Sequence, residues 1–233
     1  MEAASADSSS GDGTGDGAGA GARGVPGSVV IVREFGVVLL RAALSESEQK
    51  ALLAQVKGRC VAGKDFHVSS GTTQRVDPLH ALGEELFRRV ASEVSSQLTP
   101  AEIESDPCFR RMSLVHTGEK PATVSSVTGV VYGGRKLDLH NHTDLDRPLY
   151  TMSVALGDAC DFTVGRKTAR PHKRERSGKP VTLRMESGDA MFFDGGSVPH
   201  AVGPLHTGSG PAFWQKAKPP GVRRIGLLFR EPI

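Results

Sequence analysis

The sequence predicts an α+β domain in which N-terminal helices pack on a jelly-roll-like β-core. Apolar residues recur at helical spacing in the first half of the chain. From about residue 124 onward they alternate with polar residues, as in half-buried strands. The chain has 233 residues, which suffices for one domain with a substantial core and is short for two. We therefore expect one folded domain, helical at first and β-rich afterward.

The first 27 residues have the composition of a disordered tail. They contain eight Gly, four Ser and four acidic residues against one Arg, and almost no large apolar side chain that would favour ordering. The tail carries a net charge of −3, which leaves +6 on the rest because the whole chain carries +3. We expect a disordered segment over residues 1–27 and a folded domain over residues 28–233, whose modest basic excess weakly favours anionic partners.

The first half is expected to contain short strands followed by two helices. Segments 29–35 and 37–40 predict one or two strands, and the pair Ser45 and Glu48 has the pattern of a capping box that opens a helix. A second helix is expected from about residue 82 to about residue 98. The chain between and after these helices is expected to be irregular. The apolar stripes are Leu52, Leu53 and Val56 in the first helix, and Leu86, Phe87, Val90 and Val94 in the second.

The second half shows the alternation of an antiparallel β-core. Val181, Leu183 and Met185 alternate with polar residues and share one face of a half-buried strand. Turns are expected at 187–189 and 194–196, on either side of a strand at 190–193. Segments 149–156 and 224–229 complete the predicted set of strands.

Composition also bears on the compartment. Cys60, Cys108 and Cys160 are odd in number and have no metal-ligand spacing, and the N-terminus lacks an apolar stretch resembling a secretion signal. No apolar run approaches the roughly 18 residues of a membrane span. We expect a cytoplasmic or nuclear protein without membrane contact. The sequence leaves the oligomeric state open, with a monomer favoured.

Three residues have the chemistry of a non-haem iron site. His142 and Asp144 lie two apart, so in an extended chain both side chains project to the same side and can reach one metal ion. His200 follows 56 residues after Asp144. Two histidines and one carboxylate bind Fe(II) while leaving positions open for a bidentate cosubstrate and O₂. An isolated His-x-Asp is a weak signal, and its other interpretation is a solvent-facing strand end.

His140 has the same parity as His142 and Asp144 and therefore competes with His142 for the role of ligand. A site of this type needs one histidine beside the carboxylate, and we favour His142. His140 is then a neighbour of the metal site or a surface residue.

Two arginines near the end of the chain suggest a site for an acidic cosubstrate. Arg224 and Arg230 are six residues apart, so they share a strand face with Gly226 and Leu228. Two exposed arginines on an antiparallel sheet would give this pattern, and so would a small barrel holding a polar ligand. Their long side chains can converge on one small dicarboxylate. With the predicted iron site, this indicates a 2-oxoglutarate-dependent oxygenase.

The ordered set of motifs resembles the AlkB-like Fe(II)/2-oxoglutarate dioxygenases over about 200 residues. The resemblance starts with Gly36-Val-Val-Leu-Leu-Arg41 and the helix near Ser45. It is clearest from Tyr132 onward, through His142-Thr-Asp144, the strand 151–157 and the segment 187–193, to Arg224 and Arg230. It implies a double-stranded β-helix (jelly-roll) core with N-terminal helices packed on it.

The resemblance also implies roles for individual residues. His142, Asp144 and His200 would be the iron ligands, with Arg230 counted beside them as a catalytic residue that contacts the cosubstrate. Arg224 would pair with the distal carboxylate of 2-oxoglutarate, and Tyr132 would donate a hydrogen bond to it. Asp146 would face a substrate base, although a solvated turn acid before Arg147-Pro148 is an equal interpretation.

The activity so implied is oxidative demethylation of N-alkylated bases in DNA or RNA, using Fe(II), 2-oxoglutarate and O₂ and releasing formaldehyde, succinate and CO₂. Residues 166–179 hold seven Lys or Arg against Glu175 alone, which would attract phosphates if it is more than a solvated loop.

Two departures from the family pattern stand out. Val130-Val-Tyr132 stands where the family often has Asn-x-Tyr, which removes one expected polar contact to the cosubstrate. Residues 60–74 offer only Phe66 and His67 for stacking on a base, which weakens the assignment of a nucleic-acid substrate. One alternative is therefore an AlkB-like oxygenase acting on a methylated protein or small molecule. Another is a non-catalytic β-barrel binding module that no longer holds iron.

Overall fold

The computed structural model describes residues 27–69, 77–133, 137–140, 148–166 and 175–231, and for residues 137–140 it describes the backbone alone. Eleven strands in this part of the chain form two sheets. The strands are β1 Val29–Val32, β2 Val37–Leu40, β3 Phe66–Ser69, β4 Ser126–Tyr132, β5 Leu137–His140, β6 Tyr150–Gly157, β7 Ala159–Val164, β8 Val181–Met185, β9 Ala190–Asp194, β10 His200–His206 and β11 Arg224–Arg230. The predicted tail lies outside the described residues except for Gly27.

The larger sheet has the strand order β1-β2-β9-β6-β11-β4-β3, and the smaller has the order β5-β10-β7-β8. All pairings within both sheets are antiparallel. One apolar cluster joins the facing surfaces: it combines Met191 and Phe193 of the larger sheet with Phe162, Val164 and Met185 of the smaller one. Two antiparallel sheets packed face to face confirm the predicted jelly-roll core.

The described residues also contain five α-helices: α1 Glu46–Val56, α2 Pro78–Ser95, α3 Pro100–Ser105, α4 Pro107–His116 and α5 Ala212–Ala217. Their buried residues form a second apolar cluster with the outer face of the larger sheet. Phe87 of α2, for example, meets Phe192 of β9 edge to face, with 5.5 Å between ring centroids. The helices thus cover one face of the larger sheet, and the smaller sheet covers the other.

The predicted capping box of α1 is present. The Ser45 hydroxyl accepts from the backbone N–H of Glu48, and the Glu48 carboxylate accepts from the backbone N–H of Ser45 at 2.7 Å. Glu48 also pairs with Arg89 of α2 at 2.9 Å, which joins the two helices.

The expectation of irregular chain around the helices was wrong. Helix α2 begins at Pro78, four residues before the predicted start, because Asp77 caps it and Pro78 fits its first turn. Helices α3 and α4 follow, capped by Thr99 and Asp106. Strand β3 pairs with β4 at the edge of the larger sheet. Helices α3 and α4 and strand β3 are short, so each contains too few residues to show a clear periodic pattern.

Helix α5 precedes β11 and buries Trp214 completely. The indole lies against Gly157, where a Cβ would come within 2.5 Å of Trp214 Cε2 and where φ is +103°. Trp214 is therefore a packing residue of the core. Within the described residues, no helix combines the length and apolar character needed to cross a bilayer.

Candidate active site

A cavity of about 190 Å³ lies between the two sheets. Val130, Phe162, Phe193 and Val202 are among the apolar residues of its wall. The polar side chains in its lining are Asp65, Thr128, Tyr132, Thr151, Ser153, His200, Arg224 and Arg230. The structure therefore brings together all four of the predicted site residues whose side chains it describes, namely Tyr132, His200, Arg224 and Arg230.

His200 opens strand β10 and is buried, with 7% of its surface exposed. Its Nδ1 lies 2.8 Å from the carbonyl oxygen of Val198, which can only accept, so Nδ1 carries the hydrogen. The lone pair is then on Nε2. The imidazole stacks on Phe162 with an interplanar angle of 3° and meets Phe193 at a centroid distance of 4.7 Å. A neutral ring with fixed orientation and tautomer is what a metal ligand requires.

The other predicted ligands and the predicted base contact, His142, Asp144 and Asp146, lie outside the described residues. Within the described part of the chain no three His, Cys, Asp or Glu side chains form a metal-binding group. His140 is described by its backbone only, and in the pairing of β5 with β10 it lies opposite His200.

Arg224 and Tyr132 are paired across β11 and β4, at one end of the cavity. Arg224 is 2% exposed, and its Nη1 donates to the carbonyl oxygens of Asp158 at 2.9 Å and Met185 at 3.3 Å. These bonds fix the guanidinium in the cavity wall. Tyr132 is 3% exposed, and its ring lies over Gly226. The predicted sharing of one strand face by Arg224, Gly226 and Arg230 is confirmed by the register.

Arg230 lies at the other end of β11. Its Nη1 donates to Thr128 Oγ1 at 2.9 Å, and its Nε is buried without a hydrogen-bond partner. No carboxylate among the described residues pairs with it, and burial lowers the pKa of its guanidinium. A half-buried cation with no counter-charge among the described residues is unfavourable, so this end of the cavity is suited to an anion.

The sheet register places Arg230 at the His200 end of the cavity. Arg230 is opposite Thr151 in β6, and Thr151 is opposite Phe193 in β9. The Phe193 ring in turn contacts the His200 imidazole. Arg224 lies six residues away, about 20 Å along an extended strand, so its side chain approaches the cavity from the far side.

Four polar residues of the cavity, Asp65, Thr128, Thr151 and Ser153, were not predicted as site residues from the sequence. Asp65, just before β3, lines the opening and accepts from the backbone N–H of Val131 at 3.1 Å. Thr128 is buried on β4. A signal for Thr128 was present, because it lies four residues before Tyr132 and therefore on the same face of the strand.

Phe66 and His67, the expected stacking groups, point to opposite sides of β3. Phe66 packs on Gly129 in the cluster beneath the helices, away from the cavity. His67 is on the cavity side, with Nδ1 3.1 Å from Thr128 Oγ1. The part of the edge strand that faces the cavity is therefore polar.

The basic run 166–179 lies between β7 and β8 in the chain. It leaves β7 beside the site, since Val164 is paired with His200. Arg166 donates to Glu175 at 2.9 Å, and Arg176 pairs with Asp106, the N-cap of α4. Burial opposes the charge on Arg176, but its hydrogen bond to Asp106 raises its pKa overall. Arg166 and Arg176 thus each form an ion pair near an end of the connection. Lys179 is exposed, and the remaining cations, Lys167, Arg170, Lys173 and Arg174, lie outside the described residues.

Comparison with solved structures identifies the fold. OsALKBH1 matches with a TM-score of 0.61 and 18% sequence identity, over 88% of this chain and 100% of that chain. The chain has an AlkB-like fold. A prolyl-4-hydroxylase from Pseudomonas putida (TM-score 0.46, 14% identity, 85% of this chain and 94% of that chain) is more distant. So is an oxidoreductase of the 2OG-Fe(II) oxygenase family from Burkholderia pseudomallei (TM-score 0.41, 14% identity, 84% and 85%).

No protein-family model matches the sequence, and no curated protein is similar enough in sequence to match it. At 18% identity the likeness to OsALKBH1 concerns the fold. The AlkB-like fold and the double-stranded β-helix expected from the motifs are both confirmed at that level.

Proposed function

We propose that this protein is an Fe(II)/2-oxoglutarate-dependent dioxygenase that oxidatively demethylates N-alkylated bases in DNA or RNA. The observation that carries the proposal is Arg230. Its half-buried guanidinium has no acidic partner among the described residues and faces the cavity that His200 also lines. An anionic cosubstrate beside a metal ion would supply the missing negative charge. The AlkB-like fold is consistent with this arrangement.

His142, Asp144 and His200 are the proposed iron ligands, and His200 is the one whose side chain the structure describes. His200 offers Nε2, because its Nδ1 hydrogen is engaged by Val198. His142 follows His140, the backbone partner of His200, by two residues. Two residues of chain span at most about 7 Å, so the His-x-Asp motif has a short path to the same ion. Two nitrogens and one carboxylate suit Fe(II) and leave room for other ligands.

The same cavity fits 2-oxoglutarate. The Arg224 fork, fixed by the carbonyl groups of Asp158 and Met185, would bind the distal carboxylate, with the Tyr132 hydroxyl as a further donor. Arg230 would contact the cosubstrate at the His200 end. Val130, Phe162 and Phe193 would exclude water from the reacting groups.

When bound, iron with O₂ and 2-oxoglutarate supplies the oxidation of a substrate C–H bond, with succinate and CO₂ as the other products. A hydroxylated N-methyl group then breaks down to formaldehyde and the free amine. The protein contributes orientation: His200 is held by Val198 and two rings, and Arg224 by two carbonyl groups.

An alkylated base is the proposed substrate because Asp146 matches an acidic position that faces the base in AlkB-like enzymes. Lys167, Arg170, Lys173 and Arg174 provide positive charge for phosphates on the connection that leaves β7 beside His200. We further propose a monomer in the cytoplasm or nucleus, with residues 28–233 as the catalytic domain. The three cysteines are unpaired and buried, as expected in a reducing compartment.

One observation favours a second candidate, an AlkB-like oxygenase of a methylated protein or small molecule. The Phe66 ring packs on Gly129 and away from the cavity, which leaves His67 as the ring of β3 on the cavity side. A flipped base would find little aromatic surface on β3.

The test is formaldehyde and succinate release with matched panels of methylated DNA, RNA and peptides, with His200→Ala as the inactive control. Turnover of a methylated oligonucleotide above all peptides is the expected result, and preference for a peptide would favour the second candidate. Iron content after anaerobic reconstitution separates both from a binding module. A protein that binds no iron would overturn the enzymatic proposal.

A further inference from the structure

The hydroxyl of Thr128 lies between two side chains from different strands. It is 2.9 Å from Arg230 Nη1 on β11 and 3.1 Å from His67 Nδ1 on the edge strand β3. Thr128 itself, on β4, is 6% exposed. The three residues form a continuous row of polar groups across neighbouring strands, on the cavity side of the larger sheet.

The donors and acceptors of this row can be assigned. A guanidinium only donates, so the Thr128 oxygen accepts from Arg230. The Thr128 hydroxyl hydrogen then needs an acceptor of its own, because a buried donor without a partner is costly. His67 Nδ1 is within reach and accepts when the ring is neutral with its hydrogen on Nε2. Arg230, Thr128 and His67 then form an ordered chain of hydrogen bonds.

Arg230 needs such support. Its Nε has no partner, and no carboxylate of the described residues fixes its fork. Arg224, by contrast, is held by two carbonyl groups. An arginine side chain has many rotamers, and fixing one of them costs entropy that a ligand would otherwise have to offset on binding. The bond to Thr128 pre-orients Arg230 toward the cavity.

We propose that Thr128 and His67 are positioning residues for Arg230, which couple the edge strand β3 to the binding of the 2-oxoglutarate carboxylates. This inference rests on the proposed function, since it assumes that Arg230 contacts this cosubstrate. Neither residue touches the reacting atoms. Thr128 sets the orientation of the guanidinium, and His67 sets the orientation of the Thr128 hydroxyl.

Thr128→Val tests the first part, because valine keeps the shape of threonine and removes its oxygen. We expect 2-oxoglutarate affinity, measured by calorimetry on the anaerobic iron-loaded protein, to fall about ten-fold. The Michaelis constant for 2-oxoglutarate should rise while kcat stays near the wild-type value. Thr128→Ser should restore the affinity. Thr163→Val is the matched control, because it removes an exposed hydroxyl pair with Thr182 on β7 and β8.

A double-mutant cycle tests the second part. His67→Leu alone should weaken binding about three-fold, and adding it to Thr128→Val should cause no further loss, because the chain is already broken. Additive effects would remove His67 from the row. Unchanged affinity in Thr128→Val, with normal binding by wild type, would overturn the positioning role alone. A wild-type protein that binds no 2-oxoglutarate would overturn the proposed function as well.

Discussion

Gly83 in α2 lies directly against the Phe229 ring in β11, so that a Cβ on Gly83 would come within 2.5 Å of Phe229 Cδ1. The helix and the strand that carries both cavity arginines are therefore in close contact. Alanine at position 83 would gain about 1 kcal/mol of helix propensity. Overpacking against Phe229 should cost about 1–3 kcal/mol.

We therefore expect Gly83→Ala to lower the free energy of unfolding, contrary to helix propensity. Denaturant titration of the purified variant measures the effect. Gly58→Ala is the control, since a Cβ there has open space around it. A stabilised Gly83→Ala protein would contradict this, because it would show that Phe229 in β11 can shift at little cost to make room for the added methyl group.

Arg230→Met should weaken 2-oxoglutarate binding without lowering the stability of the protein. We expect affinity for 2-oxoglutarate to fall about 100-fold, because an ion pair with a buried carboxylate is lost. Thermal stability should stay the same or rise, since a half-buried cation with no acidic partner among the described residues is replaced by an apolar side chain. Calorimetry and thermal unfolding provide the two measurements.

Arg176→Met should instead lower stability and leave 2-oxoglutarate binding unchanged. It leaves Asp106 without its ion-pair partner, at the N-cap of α4. We expect a loss of about 3 kcal/mol in unfolding free energy, with 2-oxoglutarate affinity unchanged. If both variants lost stability alike, Arg230 would have a structural partner as well.

His200→Ala should reduce iron occupancy below about one tenth after anaerobic reconstitution, because a site with three protein ligands loses one of them. His142→Ala and Asp144→Ala should do the same, and His140→Ala should be much milder. The matched control is His206→Ala, on the same strand, where the imidazole pairs with Asp161 at 2.8 Å. Full iron occupancy in His200→Ala would remove it from the ligand set.

Replacing Lys173 and Arg174 together by Ser should weaken binding to an oligonucleotide of any sequence. The slope of log affinity against log salt should flatten by up to about two units, because each phosphate contact releases counterions. Arg176 stays in place, since its charge is used by Asp106. Iron binding should not change. Equal salt slopes for both proteins would favour a protein or small-molecule substrate.

Glu48 predicts a pH dependence of stability. Its hydrogen bonds from Arg89 and then from Ser45 lower its pKa to about 2, from an ordinary 4.5. A lowered pKa means that the stabilisation is complete above the ordinary value and is lost as pH falls toward 2. Glu48→Gln should therefore be less stable than wild type at pH 7. Urea titrations at pH 7, 5, 4 and 3 should show the gap narrowing at the acidic end. A gap of constant size would contradict this.

The sequence predicted most of the β-core and the strand face that the two cavity arginines share, because alternation fixes which residues share a face. Arg224, Gly226 and Arg230 were placed correctly for this reason. The partnership of Thr128 with His67 depends on which residue of β3 lies opposite which residue of β4. That register is a property of the folded sheet, and local pattern does not contain it.

The errors have similarly local causes. The prediction placed the start of α2 within its apolar stripe and not at its cap, although Asp77 and Pro78 are a good start signal and Leu79 already belongs to the buried face. The basic run was read as a row of equivalent charges. Ion pairs distinguish its members, since Arg166 and Arg176 are each engaged by an acid, one of which lies 70 residues away in sequence.

The Phe66 ring packs on Gly129 and lies away from the cavity, which has a consequence for substrate selectivity. An aromatic platform accepts any flat ring, because every base has a π-face. The cavity side of β3 instead presents an imidazole, and Asp65 adds a carboxylate just before the strand. Hydrogen-bonding groups discriminate far more sharply than stacking surfaces do, since a ligand that lacks the matching donor leaves them unpaired. An enzyme built this way should tolerate few substrates and turn over poorly matched ones slowly.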